Sequence, residues 1–124
     1  MAVPILRQGD VLIATIQAAL TDEDLTLLRD QLADRVGRQR ARGVILDVTA
    51  LDVLDSFATR TLRGIAYSAR LRGAETVVVG IQPDVAYAMV QLGLGLEDVP
   101  TALDLDEGLE LLRARVPGGA TRGG

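Results

Sequence analysis

The chain has 124 residues, a formal net charge of −4, no cysteine, no histidine, no lysine and only three aromatic side chains, Phe57, Tyr67 and Tyr87. It is long enough for one domain that buries roughly two thirds of its unfolded surface, and these absences remove disulfides and thiol chemistry, imidazole bases, the usual zinc ligand sets, a P-loop lysine and base-stacking platforms. The acidic balance argues against a nucleic-acid surface, the N-terminus has no basic lead into an apolar core, and no apolar run approaches the ~18 residues of a membrane span, so a cytoplasmic domain without cofactor or metal is expected.

In chain order, Val3 to Leu6 and Val11 to Ile16 read as two short strands joined at Gln8-Gly9-Asp10, a tripeptide rich in turn formers. Thr21-Asp22-Glu23-Asp24 opens a helix, with Thr21 placed to cap it and acids in its first turn. Leu25, Leu28, Leu32 and Val36 follow at helical spacing and define one core-facing stripe. Gly37 weakens its end, and Arg38, Arg40 and Arg42 follow. Basic residues there offset the negative end of the helix dipole, which suits an acidic chain better than an RNA patch does.

Gly43 to Thr49 contains the near-continuous apolar run Val44, Ile45, Leu46 and Val48, the pattern of a central strand covered on both faces. A helical pattern runs from Ser56 to about Leu71. At ~100° per residue, Ala58, Leu62, Ile65, Ala66 and Ala69 share one face, and Thr59, Arg60, Arg63, Tyr67 and Arg70 share the other with Ser56. Arg72-Gly73 closes it. Thr76 to Ile81 reads as another buried strand, and Pro83 starts a short helix whose apolar side is Val85, Met89, Val90 and Leu92, stopped by Gly93. Val99 to Leu103 is expected as an edge strand, because Pro100 suits an edge. Asp104 with Glu107 resembles a capping box before a last helix through Leu105, Leu109 and Leu112. Residues 1–116 are read as a single domain and 117–124 as a disordered tail. The order β-β-α-β-α-β-α-β-α with right-handed crossovers predicts an α/β domain: one mixed, mostly parallel sheet of four to five strands with about four helices packed on it.

The stretch Leu51-Asp52-Val53-Leu54-Asp55-Ser56-Phe57 carries the functional argument. A strand feeding a loop that opens a helix puts a hydroxyl where free N–H groups and the helix dipole favour an oxygen or a phosphate. Ser56 is therefore a cap, a phosphoacceptor, or both, and Asp55 competes for the cap. Arg60 stands one turn away, at i+4. Asp47, Asp52 and Asp55 form an acidic cluster of the kind that binds Mg²⁺ or works as paired carboxylates, but the spacing is not specific and cap duty is the favoured reading. With no histidine or lysine to deprotonate it, Ser56 is a poor nucleophile. The chain reads as a binding partner or a substrate of another enzyme, not as an enzyme.

The segment from Val44 through Asp55-Ser56-Phe57 resembles the STAS domain, the fold of the anti-sigma factor antagonists. Gly80-Ile81-Gln82-Pro83-Asp84-Val85-Ala86 and the run Thr101 to Glu110 resemble the corresponding parts of stressosome proteins, in particular the single-domain RsbS type. The resemblance covers residues 3–115. It implies a non-catalytic scaffold that co-assembles with sensor STAS proteins of the RsbR type in a large assembly, and with its own kind as a homo-oligomer. That assembly sequesters a switch serine/threonine kinase of the RsbT type, which phosphorylates the scaffold and leaves to start a partner-switching stress response. The acceptor that the resemblance implies is Ser56, with Asp52, Asp55, Thr59, Arg60 and Arg63 as its surroundings and the kinase-docking surface. Phe57-Ala58 stand where many sigma-factor antagonists carry a second hydroxyl residue and a glycine, which follows the scaffold pattern. At this length the chain resembles the scaffold and not the sensor. The alternative is a structural or nucleotide-binding STAS module whose serine only caps a helix. No nucleic acid and no membrane are expected among its partners.

Overall fold

The computed structural model describes residues 3–18 and 20–115. The elements are β1 (Ile5–Gln8), β2 (Val11–Thr15), α1 (Asp22–Gln39), β3 (Gly43–Asp47), α2 (Ser56–Leu71), β4 (Glu75–Val79), α3 (Pro83–Leu92), β5 (Thr101–Ala102) and α4 (Leu105–Arg115). The expected tail at 117–124 lies outside the described residues, as does the domain limit at 116.

The five strands lie in one sheet in sequence order, β1-β2-β3-β4-β5. β1 runs antiparallel to β2, and every other neighbouring pair is parallel. Because β2 to β5 step across the sheet in one direction, right-handed crossovers place α1, α2 and α3 on the same face. α4 follows the last strand and folds back on the opposite face, against β3, β4 and β5. The mixed, mostly parallel sheet with four helices is the architecture expected from the sequence.

Strand alternation divides the core in two. Leu12, Ala14, Val44, Leu46 and Val78 point to the three-helix face and pack with Leu28, Leu32, Leu62 and Ile65. Ile13, Ile45, Val77 and Val79 point the other way and pack with Leu112 of α4. Gly108 allows that second layer to close, since a Cβ there would press into Val79 and crowd Ile45. The double-sided burial explains why β3 is apolar at consecutive positions.

Three expectations needed correction. β3 ends at Asp47 and β4 at Val79, earlier than the apolar runs suggest, because both chains turn at once into tied loops. β5 contains only Thr101 and Ala102; Val99 is buried but lies outside the ladder. On α3 only Val85 and Met89 are buried, whereas Val90 and Leu92 are 78% and 70% exposed. A ten-residue helix packs one narrow i, i+4 stripe, and Val90 and Leu92 sit ~100° and ~300° round from Met89. The end of α1 is as expected: the helix stops at Gln39, two residues past Gly37, with Arg38 in its last turn and Arg40 as a left-handed C-cap at φ 52°.

Candidate functional site

The loop between β3 and α2 is held before the helix begins. Asp47, the last residue of β3, accepts from the Thr49 N–H at 3.0 Å and from the Thr49 hydroxyl at 2.6 Å, an Asx-type turn. The Val48 N–H donates to Val79 O at 3.0 Å, so the loop leaves the sheet still tied to β4. From the next loop along, the Gln82 side chain donates to Thr49 O at 2.7 Å. Gly80, at φ +82°, lies so close to Thr49 that a Cβ would overlap its hydroxyl. The two loops at the carboxyl ends of β3 and β4 are thus locked together, where ligands and partners of open parallel sheets generally meet the fold.

α2 then starts with Asp55 as its N-cap. The Asp55 carboxylate accepts from the Ala58 N–H at 2.8 Å. Ser56 is the first helical residue, is exposed, and its hydroxyl makes no hydrogen bond among the described residues. The contest between Asp55 and Ser56 is decided for the carboxylate, and Ser56 does not cap the helix. The reason is local: the N-cap needs extended backbone, which Asp55 has at φ −80° and ψ −179°, while Ser56 is already inside the helix.

The remaining residues expected around Ser56 separate into three groups. Asp52 and Asp55 are exposed on the loop, with Val53 between them 72% exposed. Arg60 lies one turn along and Arg63 two turns along, ~6 Å and ~10 Å down the helix axis from Ser56, both exposed. Thr59 does not belong with them. It is 2% exposed, and its hydroxyl is buried without a partner. The buried arc of α2 runs from Thr61 through Ala58, Leu62 and Ala66 to Thr59, roughly 160° wide at 100° per residue. Thr59 falls at its border, and packing takes it inward.

Of the acidic cluster, Asp47 is occupied by its turn and Asp55 by its cap. No group of three metal-ligating side chains occurs among the described residues. Sequence reasoning missed Thr49, Gly80 and Gln82 as the posts that hold the site, and Val53 as its exposed apolar residue. The only available signal was a glycine immediately after a strand. No helix among the described residues is long and apolar enough to cross a membrane.

Comparison with known proteins bears on the fold that carries this loop. The profile of the STAS domain matches residues 2–108. The structure of an RsbS of Moorella thermoacetica carrying a serine-to-glutamate substitution is 35% identical and superposes with a TM-score of 0.77, covering 89% of this chain and 93% of that one. A chain from the molecular architecture of the stressosome, described as a signal integration and transduction hub, is 36% identical with a TM-score of 0.76, covering 90% and 99%. The RsbT co-antagonist protein RsbRA of Bacillus subtilis (strain 168) is 25% identical over 101 residues, which are 82% of this chain but 37% of that protein. The chain therefore spans little more than a third of that curated relative.

Proposed function

The chain belongs to the STAS domain family, its similarity reaching RsbS and stressosome chains, and from that premise we propose that it is a non-catalytic stressosome scaffold phosphorylated on Ser56 by a switch kinase of the RsbT type. The observation that carries the reading is the uncommitted, exposed hydroxyl of Ser56 at the first position of α2, spared by the Asp55 cap. A relative whose solved form carries a glutamate in place of a serine supports the same reading.

In the reaction the Ser56 oxygen bonds to the γ-phosphorus of ATP, its proton leaves to a group of the kinase, and ADP departs. This chain supplies no histidine or lysine for the proton. The product adds about −1.5 to −2 charges and three acceptor oxygens where the N–H groups of the first turn and the helix dipole stabilise them. Arg60 is within a turn to pair with the phosphate. Asp52 and Asp55 then flank a dianion, and the loop surface around Val53 becomes strongly negative. Kinase docking on Asp52, Val53, Asp55 and Arg60 weakens by electrostatics while the fold persists. The kinase leaves, and partner switching begins. Sensor proteins of the RsbR type complete the assembly, in the cytoplasm.

The test is incubation with ATP and an RsbT-type kinase, followed by peptide mass spectrometry beside Ser56→Ala. A single phosphate on Ser56, lost in the variant, is the expected result. No transfer, or transfer that persists in Ser56→Ala, would overturn the reading.

A further inference from the structure

α2 is the basic element of an acidic chain. From Ser56 to Arg72 it carries Arg60, Arg63, Arg70 and Arg72 and no carboxylate. Arg60, Arg63, Tyr67 and Arg70 edge a groove of about 490 Å³ whose base includes the buried Ala66 and Val99. Asp98 is the single acid on its rim, and its backbone carbonyl accepts from Arg70 at 3.5 Å. Arg60 and Arg63 pair with no carboxylate among the described residues. An apolar trough edged by unpaired guanidinium groups fits an acidic surface with an apolar tip.

The molecule presents such a surface on its other side. Between Asp104 and Glu110 there are four acids and no basic residue. Asp106, Glu107 and Glu110, at i, i+1 and i+4, share one exposed face of α4. Leu103, just before that helix, is 81% exposed, more than any other large apolar side chain among the described residues. α4 packs on the sheet face opposite α2, so one molecule cannot bring the two surfaces together.

We propose that the arginine groove of α2 receives the acidic face of α4 and the Leu103 tip from a second copy of this chain. Because donor and receiver are different surfaces, the contact is heterologous and propagates from copy to copy until a ring or shell closes it. Exposed ion pairs are individually weak and screened by salt, so the contact holds through repetition within an assembly. The groove's Arg63 to Arg70 portion lies along α2 from Ser56, which leaves the Ser56 end for the kinase. The inference rests on the assembly half of the reading above and makes no use of phosphate transfer, which the Ser56 assay reads separately.

The test is sedimentation of the full chain in about 50 mM and about 500 mM salt, with two charge-reversed variants, R63E/R70E and D106R/E110R. All four side chains are exposed and none caps a helix, and circular dichroism verifies that each variant folds. Wild type is expected to associate at low salt and dissociate at high salt. Each variant alone should associate more than about tenfold less tightly, since like charges then face each other. An equimolar mixture of the two should regain association, because each reversed surface meets its complement. A wild type that stays monomeric at low salt, variants that associate like wild type, or a mixture that fails to recover overturns the proposal.

Discussion

α1 and α2 both begin with a short oxygen-bearing residue beside a row of free N–H groups, but they use their hydroxyls in opposite ways. At α1 the Thr21 hydroxyl accepts from the Asp24 N–H at 3.1 Å, and the Asp24 carboxylate accepts from the Thr21 N–H at 3.1 Å. Asp22, Glu23 and Asp24 fill the first turn with negative charge. At α2 the cap is a carboxylate outside the helix, the first turn contains no acid, and the hydroxyl stands unused at the first helical position. A phosphate placed on Thr21 would destroy a capping box and face three carboxylates. A phosphate on Ser56 breaks no hydrogen bond and finds open N–H groups and Arg60. Of two helix starts made from similar residues, only that of α2 leaves its hydroxyl without a hydrogen bond, which is the contrast that the proposed phosphorylation of Ser56 relies on.

Substitutions sharpen that comparison, and the largest effect is expected where the α2 start is held. Gly80→Ala combines a left-handed backbone with overlap onto Thr49 and should cost about 2 kcal/mol or more. Hydrogen exchange should then quicken through Val48–Asp55 but not at the start of α1. Removing either cap comes next: Thr21→Ala and Asp55→Ala should each lower stability by about 1 kcal/mol, seen as similar shifts of the urea midpoint. Thr59→Val removes a buried hydroxyl that has no partner, so thermal denaturation should show no loss and up to about 1 kcal/mol of gain. Phosphate transfer to Ser56 should be unaffected by it. Smallest in stability is Ser56→Ala, within about 0.5 kcal/mol of wild type, although it should abolish phosphate transfer. A loss at Ser56→Ala as large as at Asp55→Ala would mean that the hydroxyl does cap α2, and the contrast between the two helices would fail.

Much of the fold was legible because periodicity and punctuation agreed. The stripe Leu25, Leu28, Leu32 and Val36 is buried throughout, Pro83 and Gly93 bound α3, and the doubly apolar β3 lies in the middle of the sheet. The site was legible in outline: a strand, a loop with acids and a serine opening a helix. Three features of the molecule were not. Thr59 looks polar on a helical wheel, but the width of the buried arc depends on how closely neighbours approach, which a one-dimensional pattern does not contain. Val90 and Leu92 look like core, but α3 offers the sheet only one stripe. The Thr49, Gly80 and Gln82 clasp joins loops 33 residues apart in sequence, and no local pattern encodes such a meeting.

The α/β order, the capping residue of α1, the absence of histidine and lysine and the candidate serine were determined by the sequence alone, because each depends on residue type and near-neighbour spacing. The tertiary structure decided which oxygen caps α2, which threonine is hidden, and that the basic helix and the acidic helix lie on opposite faces of one sheet. Those outcomes depend on packing and on crossover handedness, which act between segments that are distant in the chain.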